Sequence, residues 1–229
     1  MSEARISCVI KAAIFDVDGT LVDSVDAHAR SWVATFAEFG HPVEYDEMRQ
    51  QIGKGGDQLL QEFLSEKEIN EFGKQIEEAR KNLFQREYLP EVKGFPLTRE
   101  LFQRIVDDGK QIALASSANG EELDAYKKKA DIADLVDAET SKDDVEKSKP
   151  HPDIFDAALS KLHSVERNEV IVIGDTPWDA IAARRAGMKM IGVLCGGFPA
   201  GELRSNGCIA IYRDPADLLR RYAESPLSQ

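Results

Sequence analysis

Cysteine is scarce and unpaired: the chain has three, Cys8, Cys195 and Cys208, far apart and without Cys-x-x-Cys or Cys/His spacing. The odd count and the spacing point to no metal centre of the usual kind, and buried reduced thiols are expected. Long apolar runs are missing too. No stretch approaches the ~20 residues a membrane span needs. The amino-terminal MSEARISCVIKAAIF carries an acidic residue and only a short apolar run, so it does not read as a secretory signal, and a soluble cytoplasmic protein is the expectation. Positive charge is in deficit, with 29 Lys and Arg against 41 Asp and Glu and a net charge of −12. Long-range electrostatics thus disfavour nucleic acid and anionic membrane surfaces as partners. Internal repeats, low-complexity tracts and Pro- or Ser-rich linkers are absent as well.

What is present is enough apolar material, 42% of 229 residues, for one substantial core with a smaller lobe beside it. Strand candidates recur at Val9 to Phe15, Gln111 to Ala115, Val170 to Ile173, Met190 to Leu194 and Cys208 to Ile211. Most have apolar residues at consecutive positions, the pattern of strands covered on both faces. Helical stretches at Pro96 to Asp108, Pro152 to Leu162 and Trp178 to Ala186 separate several of them, and Gly109 and Gly187 fall where helix C-caps belong. The alternation predicts a doubly wound α/β fold with a mostly parallel, Rossmann-like sheet. Between Asp23 and about Lys93 the pattern changes to amphipathic helix, clearest at Ala27 to Phe39 and Ile69 to Tyr88, with no convincing strand. Trp32, Phe36 and Phe39 lie at helical spacing and read as the core of that lobe. The expected division is a catalytic core of residues 1–22 and 94–229 and an inserted helical cap of residues 23–93. Asp23 to Val25 and Glu91 to Gly94 are the hinge candidates, and the tail from Ser225 to Gln229 reads as frayed.

Directly after the first apolar strand comes Asp16-Val17-Asp18-Gly19-Thr20-Leu21-Val22-Asp23-Ser24. Side chains alternate along a strand, so Asp16 and Asp18 point the same way at the strand end where open α/β sheets hold their ligands. Gly19 lets the backbone turn sharply and opens room for a metal and a phosphate. A calcium loop of the EF-hand type would need Glu at its twelfth position, which here is Ala27. Two acids at a strand end repel one another unless a cation offsets them.

This segment resembles the first motif of the haloacid dehalogenase superfamily of phosphohydrolases. Ile112 to Ser116 is similar to the second motif, a strand ending in Ser or Thr. Ser148-Lys149-Pro150-His151-Pro152-Asp153-Ile154-Phe155 resembles the Lys-bearing third, and Ile173-Gly174-Asp175-Thr176-Pro177-Trp178-Asp179 the acidic fourth. The helical insertion between the first two motifs is similar to the branch with a helical cap, which includes phosphoglycolate phosphatases and β-phosphoglucomutases.

Physical roles agree with the resemblance. A phosphate monoester repels nucleophiles with its own oxygens, so catalysis must neutralise charge and hold an in-line attacker. Asp16 is the expected nucleophile, because a carboxylate attacks without first losing a proton and yields an acyl-phosphate that water can cleave. Asp18 is the expected acid and base, a task that needs a carboxyl kept partly protonated. Mg2+ accepts a few carboxylates and carbonyls and keeps its waters; Asp16, the backbone carbonyl of Asp18, and Asp175 are its expected ligands. Asp179 is expected to orient them or to stand near Lys149. Helix N-terminal capping is the structural alternative for Asp175 and Asp179. Lys149 is the expected cation joining nucleophile and phosphate, and Ser116 a hydroxyl donor to phosphoryl oxygen. Gly19, Thr20, Asn119 and Gly120 complete the expected phosphate-side contacts, the last two as backbone donors at a helix start. His151, between two prolines, reads as a loop residue. In the cap, Gly53-Lys54-Gly55-Gly56-Asp57 lacks the arrangement of a nucleotide P-loop. The resemblance implies a specificity loop about here, with Lys54 and Gly55 as substrate contacts.

The expected activity is hydrolysis of a small phosphorylated metabolite, phosphoglycolate-like or a sugar phosphate, by a monomer or homodimer. A phosphomutase of the β-phosphoglucomutase type shares the nucleophile, Asp18 and the cap, and Ala113-Leu114-Ala115-Ser116 with Asn119-Gly120 resembles that subgroup. Gly174, where mutases tend to carry an acid, favours hydrolysis. A catalytically idle binding protein of the same fold is the reading from another class. A true haloacid dehalogenase is disfavoured, since displacing halide needs neither Asp18 nor Asp175.

Overall fold

Runs such as Ala-Ala-Ile-Phe and Val-Ile-Val-Ile-Gly put apolar side chains on both faces of an extended strand, so they are stable only between two covering layers. In the computed structural model, which describes residues 9–229, they form the centre of a six-stranded sheet. The strands are β1 (Ala12–Phe15), β2 (Gln111–Ala115), β3 (Ala138–Thr140), β4 (Val170–Gly174), β5 (Lys189–Val193) and β6 (Cys208–Tyr212). Their order is β3-β2-β1-β4-β5-β6 and every neighbouring pair is parallel, the doubly wound arrangement expected from the alternation. Strand order reverses between β1 and β4, and the crevice beyond their carboxyl ends is where such sheets hold ligands.

Five helices lie in the insertion: α1 (Val25–Glu38), α2 (Tyr45–Gln51), α3 (Gly56–Phe63), α4 (Glu66–Glu68) and α5 (Lys74–Leu83). Six follow it: α6 (Thr98–Asp107), α7 (Gly120–Lys129), α8 (Asp153–Ser160), α9 (Pro177–Arg185), α10 (Ala200–Asn206) and α11 (Pro215–Arg220). Side chains alternating along the strands feed two cores. Phe15, Leu114 and Ile173 pack with Phe102 of α6, Tyr126 of α7 and Leu218 of α11 on one face, while Ile14, Ala113 and Val172 pack with Phe155 of α8, Ala183 of α9 and Leu203 of α10 on the other. Fully buried rings such as Phe15 and Phe102, 4.7 Å apart between centroids, contribute about 1.5–3 kcal/mol each by leaving water. Gly109 and Gly187 end α6 and α9 at φ +72° and +70°, left-handed conformations that glycine adopts without strain.

A third core, built on Val25, Ala29, Trp32, Phe36, Met48, Leu59 and Ile76, lies wholly in the insertion. The helical run predicted from Ile69 to Tyr88 is α5 flanked by π-type turns at Ile69–Gly73 and Phe84–Tyr88. The two connecting segments run side by side: Asp23 N–H donates to Lys93 O at 2.8 Å and Phe95 N–H to Leu21 O at 2.9 Å. Lys129 of α7 clamps the second segment by donating to the carbonyls of Pro90 and Val92, at 3.1 and 2.9 Å.

Three expectations need correcting. The first strand begins at Ala12, not Val9, because Val9 is 61% exposed and no sheet face covers it. β3 was not predicted; Ala-Glu-Thr is a three-residue edge strand without an apolar run. The tail is not frayed: Leu227 is fully buried in the first core and Gln229 O accepts from Ile10 N at 2.9 Å. Cys8 lies outside the described residues, as do the seven before it; Cys195 is partly buried, Cys208 is buried, and both are free thiols. Among the described residues no helix is long and apolar enough to cross a membrane.

Candidate active site

β1 continues its ladder one residue past Phe15, with Asp16 N–H donating to Ile173 O at 2.8 Å, so the Asp16 side chain emerges where β1 meets β4. The chain then folds back, Gly19 N–H donating to Val22 O at 2.9 Å. Gly19 adopts φ +78°, and a Cβ there would stand 2.6 Å from Val25 Cγ2 and overlap the Asp175 carboxylate. Only glycine fits such a position. From the end of β4, Asp175 enters the same crevice, and Thr176 caps α9 in a reciprocal pair with Asp179. The capping alternative is thus correct for Asp179 but does not exhaust it, because its other oxygen ion-pairs with Lys149 at 2.8 Å.

Lys149 is 1% exposed and holds Asp16, Asp179 and, at 3.2 Å, the carbonyl of Ala115. The Thr20 hydroxyl lies 3.0 Å from an oxygen of Asp16 and 3.0 Å from one of Asp175. Burial pushes the Asp16 carboxyl up to about 7 against the pull of Lys149, with Asp179 adding to the rise. Burial and the charges of Asp16 and Asp179 push Asp175 well above the usual carboxylate range. Asp175 Oδ2 is buried without a hydrogen-bond partner, and Asp16, Asp175 and Asp179 each offer an oxygen within 4.8 Å of the others. Buried acids left this under-compensated fit a divalent cation that takes hard oxygen ligands.

Asp18 turns toward the insertion. Ser24 Oγ donates to its Oδ1 at 2.6 Å, and His28 Nε2, from α1, stands 2.7 Å away. The Tyr126 hydroxyl lies 3.0 Å from that nitrogen, Arg80 of α5 approaches the opposite nitrogen of the ring, and Phe84 stacks on it at 4.1 Å. Burial raises the Asp18 carboxyl, but His28, Ser24 and Tyr126 together outweigh it and hold it at about 2. The partly protonated carboxyl expected at this position is therefore not what the resting arrangement provides.

A cavity of about 440 Å3 opens over Asp16 and Asp18, walled by the insertion on one side and by Ser117, Ala118, Asn119 and Glu122 on the other. The glycine-rich loop touches the core directly. A Cβ on Gly53 would stand 2.6 Å from Thr176 Cγ2, and one on Gly55 would overlap Ser148 Oγ, next to Lys149.

The model of the haloacid dehalogenase-like hydrolases matches residues 13–193. The chain belongs to that family. A phosphorylated carbohydrates phosphatase of Thermotoga maritima is 28% identical over 215 residues, which span 92% of this chain and 97% of that protein. Protein SUPPRESSOR OF QUENCHING 1, chloroplastic, of Arabidopsis thaliana is 35% identical over 191 residues, 80% of this chain; the match spans only 18% of that longer protein. Among solved structures, a hydrolase from Pseudomonas syringae superposes with a TM-score of 0.85 at 29% identity, covering 93% of this chain and 98% of that one.

In this haloacid dehalogenase-like hydrolase, Asp16, Gly19, Thr20, Lys149, Asp175 and Asp179 come together in one crevice. Asp18 lines the same cavity, but its carboxylate is turned to His28 rather than to the acidic trio. Ser116 is fully buried and its hydroxyl oxygen accepts from Ala118 N–H at 3.1 Å. Asn119 lines the wall and caps α7, its Oδ1 accepting from Glu122 N–H at 3.1 Å. Gly55 lines the cavity. Lys54 borders the cavity, yet its ammonium is committed elsewhere, to Gln51 and Glu62 at 2.7 Å each and to the face of Trp178 at 4.0 Å. His28, Arg80, Glu122 and Tyr126 were not anticipated. A titratable residue beside the apolar stripe Val25, Ala29, Trp32, Phe36 was the signal available for His28.

Proposed function

We propose that the chain is a magnesium-dependent phosphatase that hydrolyses a small phosphorylated metabolite through an aspartyl-phosphate on Asp16, with residues 23–93 serving as a cap. One observation carries the reading: a buried carboxylate, gripped by Lys149 and Thr20, stands at the floor of an open cavity beside two further acids. Asp16, Asp175 and the Asp18 carbonyl would hold Mg2+, which when bound neutralises phosphoryl charge and keeps Asp16 ionised.

An Asp16 oxygen attacks phosphorus, and Lys149 holds that carboxylate in line while drawing charge from the phosphoryl oxygens. The bond to the leaving oxygen breaks as the Asp18–His28 pair supplies a proton. Water then attacks the aspartyl-phosphate, giving its proton to the same pair and regenerating Asp16. Between the steps the cap opens to exchange alcohol for water. Hydrolysis over phosphoryl transfer is supported at Gly174, where a Cβ would lie 2.8 Å from Asp179 Cγ, leaving no room for an acidic side chain. The relatives and the size of the cavity support a small metabolite as substrate, and on this reading the enzyme works in the cytoplasm as a monomer or homodimer.

The test is a phosphate-ester panel with and without magnesium. Expected is release of free phosphate that needs the metal and falls about 10^3-fold or more in Asp16→Asn. Isomerised sugar phosphate without free phosphate would make the protein a mutase, and silence on every ester would leave a binding protein.

A further inference from the structure

Away from Asp16 the cavity has a polar end that phosphoryl chemistry leaves unused. Asn119 caps α7 at Glu122 N–H and so fixes Glu122 in the first turn, its side chain 2% exposed and its Oε1 without a hydrogen-bond partner. Its nearest cation is Arg80, whose Nη1 stands 3.9 Å away, beyond hydrogen-bond reach. The Arg80 Nε is buried without a partner as well. The guanidinium is held in place over the rings of Trp32 and Phe84, at 5.3 and 4.9 Å, and against His28. A buried acceptor and a buried donor left open on two neighbouring side chains are costly unless something that enters the cavity satisfies them.

The direction of this end is given by its contacts. Asp18 touches His28, His28 touches Arg80 and Arg80 faces Glu122, and all four residues line the cavity that Asp16 floors. These contacts run outward from the Asp18–His28 pair that supplies the leaving oxygen's proton, so the open pair flanks the leaving group and not the phosphate. A hydroxyl matches it, donating to the carboxylate and accepting from the guanidinium. A carboxylate on the leaving group matches badly, since it has no proton to give Glu122 and meets its like charge in a buried setting. Of the lysines that also line the cavity, Lys142 is tied to Glu77 at 2.7 Å, Lys54 to Gln51 and Glu62, Lys81 lies 4.0 Å from Glu121, and Lys74 is exposed to solvent.

We propose that Glu122 and Arg80 determine specificity by reading a hydroxyl of the leaving group, which makes the preferred substrates monophosphates of polyols or sugars and not of hydroxy acids. This rests on the phosphatase reading above.

The experiment compares kcat/KM on three esters of similar size, 2,3-dihydroxypropyl phosphate, propyl phosphate and phosphoglycolate. The wild-type enzyme is expected to favour the dihydroxy ester over each of the others by at least about tenfold. In Glu122→Leu the preference over propyl phosphate falls to within about twofold, whereas mere structural damage would lower both rates and leave the ratio intact. Glu122→Gln keeps the shape and an acceptor but loses the charge, so it keeps the assignment testable should the leucine variant fail to fold. Its ratio of phosphoglycolate to dihydroxy ester is expected to rise at least about threefold. A wild-type ratio near one, or ratios unmoved in the variants, would overturn the assignment while leaving the phosphatase in place. Failure to hydrolyse even p-nitrophenyl phosphate with magnesium would instead sink the phosphatase reading itself.

Discussion

Lys149 is the residue on which the site's charge balance turns. Its ammonium is almost wholly buried and is shared by Asp16 and Asp179, so removing it leaves two carboxylates without a cation in a desolvated pocket. Lys149→Met is expected to lose about 3–5 kcal/mol of stability near pH 8, and nearly all activity. The deficit has a predictable pH dependence. Asp16 already has its carboxyl raised to about 7 with the lysine present, and losing the lysine raises it further. A buried acid with a raised pKa takes up a proton as pH falls, and its penalty falls with it. Urea midpoints of variant and wild type should therefore lie closer together at pH 5 than at pH 8; an equal gap at both would mean the acids are not the lysine's business. Lys149 and the acids were legible in sequence because each stands at a strand end or helix start within a recognisable motif. His28, Arg80 and Glu122 were not, since His28 and Arg80 meet 52 residues apart only through the docking of one helix on another. Lys54 shows the converse: a cation in a glycine-rich loop looks like a ligand contact until Trp178, Gln51 and Glu62 are seen to occupy it.

At the scale of elements, the loop between α2 and α3 is what brings the helical insertion down on the sheet's edge. Gly53 and Gly55 let its backbone approach Thr176 and Ser148, the neighbours of Asp175 and Lys149, more closely than any side chain permits. The double substitution Gly53→Ala and Gly55→Ala wedges that contact open. At Gly53, whose φ is +104°, it also adds conformational strain of about 1–2 kcal/mol. We expect kcat/KM to fall about 10- to 100-fold, because small displacements of groups over a reacting centre cost that much. An unchanged kcat/KM in a folded variant would mean that the loop does not need to close. The strands and most helices were legible because both-face burial and 3.6-residue periodicity leave strong marks in composition. The elements that escaped are those whose existence is owed to neighbours. β3 is held by pairing to β2, and the tail by Leu227 reaching the core and by Ile10 bonding Gln229. Neither depends on a local pattern.

For the whole molecule, a net charge of −12 repels phosphate esters at long range, yet the balance that matters is local. Asp16, Asp175 and Asp179 with Lys149 carry, when fully ionised, three negative charges and one positive, a residue of −2 that one divalent cation cancels. Without the cation the pocket holds protons instead: burial and neighbouring acids put Asp16 at about 7 and Asp175 well above its usual range. An acid whose pKa is higher folded than unfolded contributes less stability as pH rises from about 4 through its folded pKa, because the unfolded chain loses the proton first. On the proposed function magnesium would compete with those protons and bind only the ionised pocket, so its contribution to stability would grow over the same interval. The melting-temperature gain from a fixed magnesium concentration is therefore expected to be larger at pH 8 than at pH 5.5. At about 100 times the dissociation constant it should correspond to about 2.7 kcal/mol. Calorimetric titration near pH 6.5 in buffers of different ionisation enthalpy should show protons released as the metal binds, and Asp175→Asn should reduce both the release and the gain. Equal melting gains at the two pH values would show that the buried acids do not form the metal site, and the proposed chemistry at Asp16 would lose its source of charge neutralisation.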